Sequence, residues 1–320
     1  MDIKYFDNTR VSAYKTCPRS YFLRHVLHWT LEGENRHALI FGSSWHNGQD
    51  VIWEYGSKLS LDLLPELAYK AFVKTWTEAG LPESIPLEQQ AKFGPRTPGI
   101  AYEMFFEYVQ ARRKMIQGSE ILGIERPFAV PIPGLDNVFY IGKLDKAIVY
   151  NGRKIILEHK TTTAYAVDGN FRDDYVQSWY SSSQVKGYEF GGHLTFDGVD
   201  EVWVDAALVH KKIHNAFKFI PVSHGKLMIK EWVETTRQWI YEIINEEFSY
   251  EENGLLPSIF KKNEESCFGK YGTCPFLEIC KNHPDPTQIP VPPGFKVEKW
   301  EPFETLGLSK VLENKDGQKD

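Results

Sequence analysis

The chain has 320 residues, of which 42% are hydrophobic and 25% charged. That is the composition of a globular protein rather than of a disordered or collagen-like one. Its net charge of −6 excludes binding to nucleic acid through overall basicity, so any such contact must use local patches. No apolar run approaches membrane-spanning length, and "MDIKYFDNTR" lacks a signal-peptide pattern, so a soluble, cytoplasmic protein with no membrane contact is expected.

Residues 9–29 carry apolar positions at helical spacing, with Thr9 or Ser12 as cap and Pro18 at a first turn or a break. Further helices are predicted over 43–58, 61–79 and 99–117, with the proline-rich segment 81–98 as a loop. Strands follow at 120–130, 136–150 and 153–162. Next come a helix at 175–191, strands at 200–210 and 216–222, and a long amphipathic helix over 224–249. Helices, a run of strands, a helix and two more strands imply an α/β fold with a central mixed sheet flanked by helices. The chain divides into one domain over 1–283, with a helical part at about 43–118 and a core at about 119–223, and a tail over 284–320. That tail is expected to be extended and disordered over its last ten or so residues.

The stretch "IGKLDKAIVYNGRKIILEHKTT" carries the chemistry. Asn151-Gly152 between two β-branched runs marks a two-residue type I′ turn, which needs positive φ at both central positions. With that turn Tyr150 faces Arg153, and Asp145 faces Glu158. Alternation places Lys160 on the same face as Glu158 and turns His159 to the other. Carboxylates placed directly opposite repel by up to about 1 kcal/mol. A divalent cation between them, with hard oxygen ligands suited to Mg²⁺ or Mn²⁺, removes the conflict. A solvated edge, with Lys143 and Lys160 neutralising the acids, is the other reading.

"GKLDKAI" followed by "EHK", "FGSSWHNGQ", "QVKGYEFG" and "YKTCPRSYFLRHV" together resemble the PD-(D/E)xK nuclease superfamily in its RecB-like branch. The resemblance is to the version that carries an iron–sulfur cluster, as in AddB-type subunits and the nucleases of CRISPR adaptation. It implies a restriction-endonuclease-like fold with a helical N-terminal part and a C-terminal cysteine segment. His46, in the Gly-x-x-x-His pattern with Gly42, becomes a metal ligand beside Asp145 and Glu158, and Lys160 positions the attacking water. Gln184 and Tyr188, at i and i+4 on one helix face, help to hold the site and the DNA strand. Glu125 in "GIERPF" matches an acidic position on the preceding strand, although a surface carboxylate accounts for it too. By residue type alone a helix histidine such as His46, beside Trp45, is more often packed than a ligand.

The chain has four cysteines, Cys17, Cys267, Cys274 and Cys280. Disulfides are not expected in a reducing compartment. "CPFLEIC" matches the last two ligands of the resembled cluster, and Cys17 and Cys267 would complete the set. Six residues separate Cys267 from Cys274, more than the resembled pattern has. Four thiolates fit a [4Fe–4S] cluster or tetrahedral zinc, and the resemblance favours the cluster, in a structural role.

The resulting expectation is a metal-dependent DNA exonuclease acting at duplex ends or on single strands. Recombination, repair, phage DNA processing and CRISPR adaptation are its settings, with protein partners from those systems. Arg19, Arg24, Arg112-Arg113-Lys114 and Lys211-Lys212 are candidates for phosphate contact. No Walker A sequence is present, so cleavage needs no ATP from this chain. The alternative is a non-catalytic DNA-binding or scaffold subunit. A small-molecule metallohydrolase of another fold is a third reading, which no His-x-His or His-Glu-x-x-His sequence supports.

Overall fold

The computed structural model describes residues 3–32, 37–166, 169–269, 272–301 and 306–308. In chain order the elements are β1 (Lys4–Phe6), α1 (Asn8–Thr16), α2 (Pro18–Tyr21), a π-helical turn (Phe22–Val26), β2 (Trp29–Leu31), α3 (His37–Tyr55) and α4 (Leu64–Glu78). They continue with α5 (Gln90–Phe93), α6 (Pro98–Gly118), β3 (Glu120–Pro131), β4 (Val138–Tyr150), β5 (Arg153–Thr162), α7 (Asp173–Tyr180) and α8 (Ser183–Thr195). The last are β6 (Glu201–Leu208), β7 (Phe217–Val222), α9 (Lys226–Asn253), β8 (Phe268–Gly269), β9 (Gly272–Thr273), α10 (Leu277–Asn282) and β10 (Phe295–Val297). The chain forms two compact units, one of residues 1–34, 127–142 and 225–320, the other of residues 35–126 and 143–224.

The second unit is a central mixed sheet flanked by helices. β4 pairs antiparallel with β5, β5 parallel with β6, and β6 antiparallel with β7. The β4–β5 register is the expected one, Tyr150↔Arg153 to Lys146↔Leu157. The turn forms as predicted, with Asn151 at φ 50° and Gly152 at φ 77°. Against the sheet residues Ile148, Ile155 and Leu157 pack α3, α4 and α6, through Trp45, Trp53, Phe72, Trp76, Phe105 and Tyr108. The approach is close enough to require a glycine. A Cβ at Gly48 would lie 2.3 Å from the Phe105 ring and 3.0 Å from the Ala68 carbonyl oxygen.

In the first unit β1 runs parallel to the start of β4, and β10 pairs antiparallel with β2. Several short elements escape the sequence reading, among them the three-residue strands β1, β2 and β10. The expected helix over 9–29 is broken. Cys17 is extended (φ −162°) because it precedes Pro18, and the first cap is Asp7, which accepts from the Arg10 amide at 2.7 Å, not Thr9 or Ser12. The single helix expected at 175–191 is two, since Ser182 caps a new start at Ser183. Within the tail, 286–288 form a 3₁₀ turn and Phe295–Val297 a strand. The last ten residues lie outside the described residues.

Candidate active site

The second unit gathers the predicted site residues. Asp145 sits at the end of the β4–β5 ladder, where its Oδ2 accepts from the His159 amide at 2.8 Å. Trp45 buries into the core, which turns its neighbour His46 on α3 towards the sheet. The His46 Nδ1 lies 3.3 Å from Asp145 Oδ2. One ligand atom each from His46, Glu125 and Asp145 lie within 4.8 Å of one another, spacing that one cation can bridge. Glu125 takes that position with a left-handed backbone, φ 49°. Its carboxylate pairs with Lys143, so Lys143 does not neutralise the hairpin acids as the solvated-edge reading requires.

Glu158 forms the other half of the site. Its Oε1 contacts the Lys160 ammonium and accepts from the Gln184 side-chain amide at 3.0 Å. Gln184 donates also to the Tyr188 hydroxyl at 2.9 Å, the i, i+4 pairing expected on α8. Glu158 Oε2 is buried and has no hydrogen-bond partner among the described residues. Asp145 is 6% exposed and Glu158 1%, which removes the solvated-edge reading altogether. An orphaned buried carboxylate oxygen beside a three-residue ligand group is what a site for a hard cation requires.

The electrostatics separate the two acids. Burial raises the Glu158 carboxyl, the Asp145 charge raises it further, and it is pushed up to about 7 despite Lys160. Burial also opposes charge on Asp145, but the His46 ring, Lys146 and Lys160 outweigh it and hold Asp145 well below the usual carboxylate range. Burial works against the charged His46 ring, and Asp145 overcomes that and raises it. Lys160 is raised in the same way, with burial overcome by Glu158 and Asp145.

Beneath this face lies a layer the sequence reading missed. The Lys146 ammonium, completely buried, pairs with Asp50 at 2.6 Å, one turn along α3 from His46. Asp205 of β6 accepts from the Tyr108 hydroxyl at 2.5 Å and from Arg112 at 2.7 Å. The signal was there to find, a lone acid within the apolar run "VWVDAALV". Arg112 is therefore not free for phosphate, and Arg19 is likewise buried, donating to the Phe260 and Pro284 carbonyls. Arg24, Arg113, Lys114, Lys211 and Lys212 are exposed.

In the first unit Cys17, Cys267, Cys274 and Cys280 line one cavity of about 280 Å³. Cys17 comes from the α1–α2 break, where its sulfur accepts from the Asn263 amide at 3.4 Å, and Cys280 from α10. All four are free thiols. Burial pushes the Cys280 thiol up to about 11 and also raises Cys274.

No helix of the described residues is long and apolar enough to cross a membrane. A model of the PD-(D/E)XK nuclease superfamily matches residues 8–281. Among solved structures, the chain is similar to a provisionally named exonuclease of Eubacterium rectale, at 14% identity and a TM-score of 0.47, over 88% of this chain and 93% of that one. No curated protein matches it significantly.

Proposed function

The chain belongs to the PD-(D/E)XK nuclease superfamily, and within it we propose a RecB-like, metal-dependent DNA exonuclease that acts at duplex ends or on single strands. The observation that carries this reading is the ligand group of His46, Glu125 and Asp145 beside the unpartnered Glu158 Oε2. Mg²⁺ or Mn²⁺ held by His46, Asp145 and Glu158, with Glu125 as a fourth donor, would supply the Lewis acid for phosphodiester hydrolysis.

The protein's own groups do the rest. Gln184, braced by Tyr188, holds the Glu158 carboxylate in place. The Lys160 ammonium, in contact with Glu158 yet partly open to solvent, is placed to orient a water or to meet a phosphate oxygen. His46 and the His159 amide fix Asp145 from two sides. Exposed Lys211 and Lys212 belong to the same unit and are suited to phosphate contact.

The four cysteines belong to the same reading as ligands of a [4Fe–4S] cluster with a structural role. Their shared cavity supports a common ligand for the four thiols. The cluster would tie the α1–α2 junction to the C-terminal segment. Brown protein, absorbing near ~400 nm when purified without oxygen, is the expected result, and colourless protein with one zinc would refute the cluster.

The deciding experiment compares wild type with Asp145→Ala on end-labelled single- and double-stranded DNA, with Mn²⁺ or Mg²⁺, an EDTA control and no ATP. Degradation by wild type alone supports the reading, and the product ladder gives the polarity. DNA binding without cleavage by either would replace it with a recruitment role.

A further inference from the structure

Glu125, Asp145 and Glu158 each have a cation of their own. Asp145 lies 3.3 Å from the His46 ring, Glu158 contacts the Lys160 ammonium, and Glu125 contacts that of Lys143. Lys143 and Asp145 stand two apart on β4, so alternation puts their side chains on one face of the sheet. Glu125 joins them from β3, the neighbour of β4, with a left-handed backbone at φ 49°. A residue other than glycine holds that conformation at a cost, and such costs concentrate at functional sites.

The three cations fare differently once a divalent ion enters. His46 is itself a ligand, and it binds through a neutral ring. Lys160 serves the reaction at Glu158. Lys143 has neither role, yet it holds a carboxylate whose ligand atom lies within 4.8 Å of those of His46 and Asp145. An ammonium and a divalent ion that share one carboxylate repel each other. Lys143 is also the most exposed of the three, 35% against 28% for Lys160 and 24% for His46. Its long apolar stem lets the ammonium turn to water while the stem stays on the sheet.

We propose that Lys143 is an internal counter-ion, which holds Glu125 in the metal-free site, yields it to the incoming cation and so limits how tightly that cation binds. The proposal rests on the nuclease reading for its metal, but not on cleavage for its test.

The test is Mn²⁺ affinity by electron paramagnetic resonance of free Mn²⁺, with thermal unfolding and steady-state cleavage alongside. Lys143→Met keeps an unbranched apolar stem and removes the charge. It is expected to bind Mn²⁺ about fivefold more tightly than wild type, the scale of one partly exposed ion pair. It is also expected to melt lower than wild type in EDTA, where Glu125 has lost its counter-ion, and saturating Mn²⁺ should close that gap. Lys143→Gln, neutral but polar, is expected to behave in the same way and serves if Lys143→Met does not fold. In a Glu125→Gln background, Lys143→Met is expected to change Mn²⁺ affinity by less than about twofold, because no carboxylate is left to compete for. Weaker or unchanged Mn²⁺ binding in the Lys143 variants overturns the proposal, and so does an equal gain with and without Glu125. Tighter Mn²⁺ binding in Lys143→Met, in a protein whose wild type cuts no DNA, sinks the nuclease reading and leaves the counter-ion role standing. A wild type that binds no Mn²⁺ sinks both.

Discussion

Arg112 of α6 donates to Asp205 of β6 at 2.7 Å, a buried ion pair that binds a helix to the central sheet of its unit. Its guanidinium raises no question of phosphate binding, because the side chain is only 10% exposed. Removing one partner of a buried pair leaves a charge without compensation, which costs about 3–5 kcal/mol. Arg112→Ala is expected to lower stability by that amount in urea unfolding. Lys211→Ala with Lys212→Ala is expected to leave stability unchanged and to reduce the slope of log K for DNA against log salt by about 1 to 2. A reversed pattern would place the DNA contact at Arg112.

The metal-free protein should lose stability as pH rises through neutrality. Glu158 is pushed up from 4.5 to about 7, so the folded state binds more protons than the unfolded one between those values. His46 is also raised, so its contribution is complete below 6.5 and fades above it. Both effects have the same sign, and a fully shifted group contributes a fall of about 1.4 kcal/mol per pH unit. Urea unfolding in EDTA from pH 5 to 8 should show this decline, and Glu158→Gln should flatten its lower part. Buried His25 and His159, both lowered, act with the opposite sign below 6.5, so the difference between wild type and Glu158→Gln is the quantity to read, and a difference that does not fall with pH would contradict the burial of Glu158.

Lys160→Ala removes the cation that favours ionised Glu158. The variant is expected to lose about 10²- to 10³-fold in kcat, with a smaller change in KM. Its cleavage profile should also shift to higher pH, since Glu158 then gives up its proton less readily. Single-turnover cleavage from pH 6 to 9 reads both effects.

Cys280→Ser is expected to abolish the absorbance near ~400 nm and to lower the melting temperature, since ligand loss uncouples binding from folding. Spectra and thermal unfolding of wild type and variant, prepared without oxygen, check this. An unchanged melting temperature would show that the cysteines do not tie their segments together.

By itself the sequence determined the hairpin register on which the candidate site is built. An Asn-Gly turn set the register that pairs Tyr150 with Arg153 and Lys146 with Leu157, and alternation along one strand set Lys160 beside Glu158. The i, i+4 pairing of Gln184 and Tyr188 was legible for the same reason, the period of a helix. Proline and serine breaks were harder to place, because a helical pattern continues across Cys17-Pro18 and Ser181-Ser182 while the backbone does not.

Only the tertiary structure decided what each charge faces. Glu125 could be a surface acid until a left-handed residue in β3 brought it to His46 and Asp145. Arg112 could meet phosphate until α6 packed it onto Asp205. Four cysteines, three near one end and one near the other, became one cavity only when the chain closed on itself. A side chain's partners across the sequence depend on packing between elements, and neither spacing nor periodicity within an element carries that information.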